Sequence, residues 1–102
     1  MGVKQMGDRG NIKVDGIHLY THWKGSCLRE ILKAALIRGR SRWVDGQYLT
    51  RIIFCEMIQD DVLGLTGFGI SVDLGDGEDQ MLIVDTKEQT VDGEPFRSFI
   101  DN

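Results

Sequence analysis

Three short segments of this 102-residue chain together supply arginine, aromatic and small polar side chains: residues 7–11, 20–23 and 38–43. Guanidinium groups bind phosphate through paired hydrogen bonds, tyrosine and tryptophan rings stack on bases, and glycine lets the backbone come close to a ligand. The candidate ligand-binding residues are Arg9, Asn11, Tyr20, His22, Trp23, Arg40, Arg42 and Trp43. If the fold brings the three segments together, these residue types predict a pocket for a small phosphorylated ligand such as a nucleotide.

In this hypothesis the arginines hold phosphate, the aromatic rings stack on a base, and Asn11 or His22 hydrogen-bonds its edge. The alternative is structural, because arginine at a helix C-terminus is ordinary capping and both tryptophans can cover the ends of a core. The sequence contains no P-loop and no GxGxxG motif. A conventional nucleoside-triphosphate or dinucleotide fold is therefore not indicated.

Cys27 and His22 offer a second chemistry, nucleophilic catalysis by a hydrolase or transferase. A cysteine near a helix N-terminus gains reactivity, and a histidine nearby can serve as its base. The sequence shows no third residue to orient the histidine and no oxyanion site. A non-enzymatic binding protein is therefore favoured, and no catalytic residue is assigned.

Metal binding is not indicated by the spacing of the potential ligands. His18 and His22 share one strand face with Cys27 close behind, but there is no CxxC pair and no HxxxH motif. The acidic run that begins at Asp73 does not match the calcium loop of an EF-hand. We expect neither a metal nor a cofactor.

The charge balance limits the partners. Asp and Glu outnumber Lys and Arg by 16 to 12, which gives a net charge of −4 and disfavours general nucleic-acid binding. An acidic chain suits a basic protein surface, so the rival hypothesis is a protein-directed inhibitor that uses acids around Asp60, Asp61 and residues 73–79. The start of the chain is polar and no apolar stretch approaches the length of a membrane span, which predicts a cytoplasmic protein.

The elements that must position these residues begin with a β-hairpin. Residues 11–14 and 17–21 alternate apolar and polar side chains around Asp15-Gly16, a pair typical of a type I′ turn. Alternation places Ile17, Leu19 and Thr21 on one face and His18, Tyr20 and His22 on the other.

Two helices follow the hairpin. Helical spacing predicts the first after Ser26 as N-cap, ending at Gly39, and the second after Asp45, over residues 47–59. Three apolar residues of the second helix fall outside its main stripe: Tyr48, Phe54 and Ile58. Either this helix is buried on most sides, or these residues form the interface of a homo-oligomer.

Strands are predicted over residues 67–72 and 80–86, followed by a hairpin of residues 90–91 with 96–100. Residues 1–9 are predicted to form a loose arm. The sequence thus indicates a single α+β domain over residues 1–102, with the order β-β-α-α-β-β-β. We expect a mostly antiparallel sheet of about five strands with both helices packed on one face.

Residues 7–12, 19–23, 51–58 and 66–71 together resemble a family of small uncharacterised proteins of phages, prophages and bacteria. The resemblance covers most of residues 7–86 and carries over no catalytic residue. It implies a setting in a bacterial host cytoplasm, where a small acidic phage-type protein inhibits host defence. Such a protein sequesters a nucleotide signal or blocks a protein complex, as an anti-CRISPR does.

Overall fold

The computed structural model describes residues 7–73 and 80–102, which form an α+β fold as predicted. The strands are β1 (Gly10–Val14), β2 (Ile17–Thr21), β3 (Phe68–Ser71), β4 (Met81–Asp85), β5 (Thr90–Val91) and β6 (Glu94–Pro95). The helices are α1 (Leu28–Arg38), α2 (Gly46–Ile58) and α3 (Phe96–Asp101). The six strands described lie in the order β3-β2-β1-β4-β5-β6. The sheet is mixed, because β1 and β4 pair in parallel while the other pairings are antiparallel.

The first hairpin has the predicted turn and register. Asp15 and Gly16 have φ angles of 51° and 95°, the left-handed pair that a type I′ turn requires. Ile12 pairs with Leu19 across the two strands, so their side chains share the face that packs into the core.

The start of α1 differs from the prediction, because Ser26 does not cap the helix. Ser26 instead donates to Asp8 Oδ2 from its backbone nitrogen at 2.9 Å and from its hydroxyl at 2.5 Å. A single 3₁₀ turn, Gly25–Cys27, leads into α1, whose N-cap position is Cys27. The predicted stop at Gly39 is confirmed, and so is the Asp45 cap of α2, whose Oδ1 accepts from the Tyr48 amide at 3.2 Å.

The predicted strand over residues 96–100 is wrong, because this segment is helix α3. Pro95 precedes it with φ −55° and ψ 145°, which ends the extended chain and leads into the helix. Phe96 and Phe99 are three residues apart and both are buried. That spacing puts the two rings on one helical face, where they complete the core beside α1.

One hydrophobic core joins the three helices to one face of the sheet. It contains Ile12, Val14 and Leu19 from the strands, and residues such as Leu32, Leu36, Leu49, Ile53, Phe96 and Phe99 from the helices. The opposite surface, here called the open face, is carried by Asn11, Lys13, His18, Tyr20, Gly69, Ser71, Met81, Ile83 and Asp85. Within the two described ranges, no helix combines the length and hydropathy that a membrane span needs.

Candidate functional site

The open face collects the first two predicted segments at one end of the sheet. Asn11 pairs with Tyr20 across β1 and β2, and the Asp8 amide donates to the His22 carbonyl at 2.7 Å. This bond is one residue out of the register in which Gly10 pairs with Thr21, so the regular ladder ends at Gly10 and the segment that carries Arg9 continues beside His22. The hydrogen bond between the Tyr20 hydroxyl and the His22 ring shows that these two side chains lie on one face.

Tyr20, His22 and Trp23 form a connected aromatic cluster at this end. The Tyr20 hydroxyl and His22 Nδ1 are hydrogen-bonded at 2.9 Å, and the rings of His22 and Trp23 meet edge to face at 4.4 Å between centroids. Trp23 is 56% exposed. An exposed ring next to a fixed imidazole offers a stacking surface to a flat ligand.

Two glycines hold this cluster in place. A Cβ atom on Gly7 would lie 2.6 Å from His22 Nε2, and one on Gly67 would lie 2.5 Å from Trp23 Nε1. Both glycines have left-handed φ angles, 107° and 97°, which other residues rarely adopt. The chain thus packs its own backbone against the two rings and restricts their movement.

Gly69 leaves open space on the open face beside Tyr20. It pairs with Tyr20 across β2 and β3, and a Cβ atom added to it would meet nothing within 4 Å. The next residue on this face of β3 is Ser71, which is exposed. The small residues of this strand thus leave room beside Tyr20 for another group to approach the backbone.

His18 is a residue of the open face that the prediction did not include. It is 7% exposed, and within residues 7–73 and 80–102 its Nδ1 has no hydrogen-bond partner. A buried polar atom without a partner costs free energy that a new hydrogen bond recovers. Alternation along β2 predicts the face on which His18 lies but does not predict its burial.

The third predicted segment lies at the other end of the molecule. The eleven residues of α1 span about 16 Å and separate it from the aromatic cluster. Gly46, shortly after this segment, lies against Asp15 and Thr86, where β1 and β4 end. The structure therefore does not bring Arg40, Arg42 and Trp43 to the site of the other two segments.

Trp43 and Arg40 make local contacts at this end of the molecule. Trp43 Nε1 donates to the Leu36 carbonyl at 2.9 Å, and its ring meets Phe96 edge to face at 5.2 Å. The guanidinium of Arg40 lies 5.6 Å from the Trp43 ring. The segment thus covers the end of the core that lies away from the aromatic cluster.

The proposed oligomer residues of α2 also find contacts within the chain. Phe54 and Ile58 are partly buried and pack against the core. Tyr48 is half exposed, with the Arg42 guanidinium 4.7 Å from its ring. Of the two alternatives, burial within the chain accounts for Phe54 and Ile58.

The glycine-rich segment at residues 7–11 is ordered and has a structural role. The Asp8 carboxylate accepts from Ser26 and from Gln80 Nε2 at 3.0 Å. The hydrogen bond from the Ser26 side chain, followed by that from its backbone, lowers the pKa of Asp8. The amides of Asp8 and Asn11 donate to the carbonyls of His22 and Gln80, so these two amides serve the fold rather than an anion. Residues 1–6 of the predicted loose arm lie outside the described residues.

Within residues 7–73 and 80–102, the predicted catalytic and metal-binding residues do not come together. Cys27 is exposed at the start of α1, and no hydrogen bond links it to His22, whose Nδ1 is bonded to Tyr20. Among the residues whose structure is described, no three His, Cys, Asp or Glu side chains gather around one point. The acids at residues 74–79 fall outside these residues.

Two clefts differ in their suitability for a phosphorylated ligand. A cleft of about 690 Å³ at the end of the sheet away from the aromatic cluster is lined by Asp15, Asp45 and Thr86, among others. Its two carboxylates would repel an anion. A second cleft of about 460 Å³ is lined by Lys13 and Lys87 together with Asp15 and Asp85. It differs from the first in having two ammonium groups, which are balanced by two carboxylates.

Comparisons with protein-family models, with curated proteins and with solved structures found no match. A function is therefore inferred from the geometry and charge of the open face.

Proposed function

We propose that this protein is a non-enzymatic binding protein that captures a small phosphorylated ligand, such as a nucleotide, on its open face. The observation that supports the proposal is the cluster of Tyr20, His22 and Trp23 at one end of that face. The segment that carries Arg9 adjoins this cluster, because the Asp8 amide donates to the His22 carbonyl.

The charge of the open face supports the choice of an anion. Lys13 lies on β1 and Arg9 directly precedes this strand, whereas Asp85 is the last residue of β4. The whole chain carries a net charge of −4, so Arg9 and Lys13 are the groups here that would attract an anion. Two cations four residues apart suit a ligand with more than one phosphate.

Each residue has a defined role in the proposal. Arg9 and Lys13 bind phosphate, Trp23 or Tyr20 stacks on a base, and His22 hydrogen-bonds its edge. Asn11 is almost fully buried, so it supports the sheet beneath the ligand rather than contacting the base. The phosphate role predicted for Arg40 and Arg42 is withdrawn from the proposal because of their position.

The setting implied by the sequence resemblance is compatible with this activity. A protein that sequesters a nucleotide signal needs affinity and abundance but no catalytic group. We therefore propose an anti-defence role in a bacterial cytoplasm as the biological context.

The first experiment is native mass spectrometry of protein purified gently from cells, followed by denaturation and analysis of the released small molecules. We expect a phosphorylated compound in stoichiometric amount, and the same measurement gives the number of chains in the assembly. If the protein carries none, a panel of nucleoside mono-, di- and triphosphates is titrated by calorimetry. A protein that is empty after purification and binds no member of the panel would refute the proposal.

Matched variants then locate the site. Arg9→Gln and Lys13→Gln should each weaken binding by roughly tenfold or more, since each loses a charge-assisted hydrogen bond. Arg40→Gln removes the same charge at the other end of the molecule and should leave binding unchanged.

Gly69→Leu provides a test that leaves all charges intact. Its side chain should occupy the open space beside Tyr20 and block the ligand, while the fold tolerates it because a Cβ atom at this position meets nothing within 4 Å. Equal affinities of Arg9→Gln and Arg40→Gln, or full binding by Gly69→Leu, would contradict the location.

A further inference from the structure

A second surface follows the chain from the end of α2 into β3. Residues 62–72 contain no charged side chain, and five large apolar residues among them are exposed. The exposed fractions are 61% for Val62, 90% for Leu63, 98% for Leu65, 62% for Ile70 and 73% for Val72. Apolar side chains concentrated in this way mark a surface that another molecule covers.

Strand β3 forms an edge of the sheet. It pairs with β2 on one side, and in the part of the chain that the structure describes no strand pairs with its other side. The opposite edge is β6, which has two residues and ends in Pro95, features that discourage further pairing. Residues 68–71 contain no proline and no charge, so the β3 edge lacks this protection.

The edge surface is separate from the proposed ligand site. Alternation along β3 places Ile70 on the side of the sheet that carries the helices, and Gly69 and Ser71 on the open face. A strand added at this edge lies in the plane of the sheet and forms backbone hydrogen bonds there. It can therefore bind while the open face remains accessible.

The charges around the edge indicate what kind of partner fits. Residues 60–73 contain three carboxylates, Asp60, Asp61 and Asp73, and no Lys or Arg. Lys24 pairs with Asp60 at 2.9 Å, which leaves Asp61 and Asp73 on either side of the apolar stretch. A second copy at this edge would add only more carboxylates to it, whereas a basic segment would bring the opposite charge.

We propose that the β3 edge, with the exposed loop residues 62–65, docks an extended basic segment of another protein by β-strand addition. The partner segment contributes backbone hydrogen bonds to β3, apolar side chains that cover Leu65 and Ile70, and Lys or Arg side chains that meet Asp61 and Asp73. The partner class is a protein with an accessible strand or tail that alternates apolar and basic residues.

The experiment uses a fluorescein-labelled peptide of alternating valine and lysine, with an alternating valine and glutamate peptide as its charge control. Fluorescence anisotropy should show binding of the basic peptide alone, with affinity that falls as salt rises. A basic peptide that is N-methylated at alternate residues has the same charge but lacks edge hydrogen bonds, and it should bind at least roughly tenfold more weakly.

Ile70→Lys and Ile37→Lys are the matched protein variants, because both isoleucines are exposed and both changes add one positive charge. Ile37 lies on α1, away from the edge. Ile70→Lys should weaken binding of the basic peptide by roughly tenfold or more, and Ile37→Lys should change it little. Equal effects of the two variants, or no loss on N-methylation, would overturn the proposal. A dimer in sedimentation that Ile70→Lys dissociates would also overturn it, by assigning the edge to a second copy.

Discussion

Replacing Trp43 tests whether this residue serves the fold or a ligand. Its indole nitrogen donates to the Leu36 carbonyl at 2.9 Å, and its ring meets Phe96 at 5.2 Å. Trp43→Phe removes the hydrogen bond, which contributes about 1 kcal/mol. It also weakens the edge-to-face contact, which contributes about 0.5–1.5 kcal/mol. We expect the free energy of unfolding to fall by about 1–2 kcal/mol.

Trp23→Phe is the matched control, because it makes the same chemical change at a ring that is 56% exposed. Its effect on the free energy of unfolding should stay within about 0.5 kcal/mol. Urea unfolding of both variants is followed by far-ultraviolet circular dichroism, which does not depend on tryptophan emission. Thermal melts should agree, since about 1 kcal/mol shifts the Tm of a domain of this size by roughly 4–8 °C.

Ligand affinity should respond in the opposite way to stability: it should depend on Trp23 and not on Trp43. Trp23→Phe should weaken binding of a phosphorylated ligand, whereas Trp43→Phe should leave the affinity of the folded protein unchanged. Equal stability of the two variants, or full stability with loss of binding in Trp43→Phe, would refute the division of roles between the two rings.

The Asp8 carboxylate should make the free energy of unfolding depend on pH, and a side chain at Gly25 should lower that free energy. Because hydrogen bonds from Ser26 hold the pKa of Asp8 below the ordinary value of 3.8, its contribution is complete above that value and is lost as the pH falls through the lowered pKa. Asp8→Asn should therefore be less stable than the parent protein at pH 7 in urea titrations, with a difference that narrows below about pH 4; a difference independent of pH would contradict this assignment. Gly25→Ala would drive a Cβ atom into the Arg9 carbonyl and should lower the free energy of unfolding by about 1–3 kcal/mol, whereas Gly69→Ala should change it by less than about 1 kcal/mol.

Local signals in the sequence predicted the local structure well. Asp15-Gly16 specifies its turn because few other residue pairs adopt two left-handed φ angles in succession. Asp45 and Gly39 mark helix ends through contacts within a few residues of themselves. The segment at residues 96–100 was misassigned, although the spacing of Phe96 and Phe99 is itself a helical signal.

Long-range contacts explain what could not be predicted. Ser26 has the residue type of an N-cap, but its hydroxyl bonds to Asp8, 18 positions earlier. The separation of Arg40 and Arg42 from the other predicted site residues also has a long-range cause. The direction of α1 relative to the sheet determines the end of the molecule at which these arginines lie. Alternation did place Tyr20 and His22 on one face, since that follows from strand geometry alone.

The parallel pairing of β1 with β4 has a consequence for how the chain folds. The Asn11 amide donates to the Gln80 carbonyl at 2.9 Å and the Asp15 amide to the Val84 carbonyl at 3.1 Å, so the centre of the sheet joins segments about 70 residues apart in sequence. The β1–β2 hairpin can close early, but its inner edge stays without a neighbour until β4 has been synthesised and has crossed back beside it. Closing so long a loop is slow relative to forming a helix or hairpin. For most of its synthesis the nascent chain would thus contain an apolar hairpin with an unpaired strand edge. Such an edge is prone to aggregation, so this is the stage at which chaperone binding matters most.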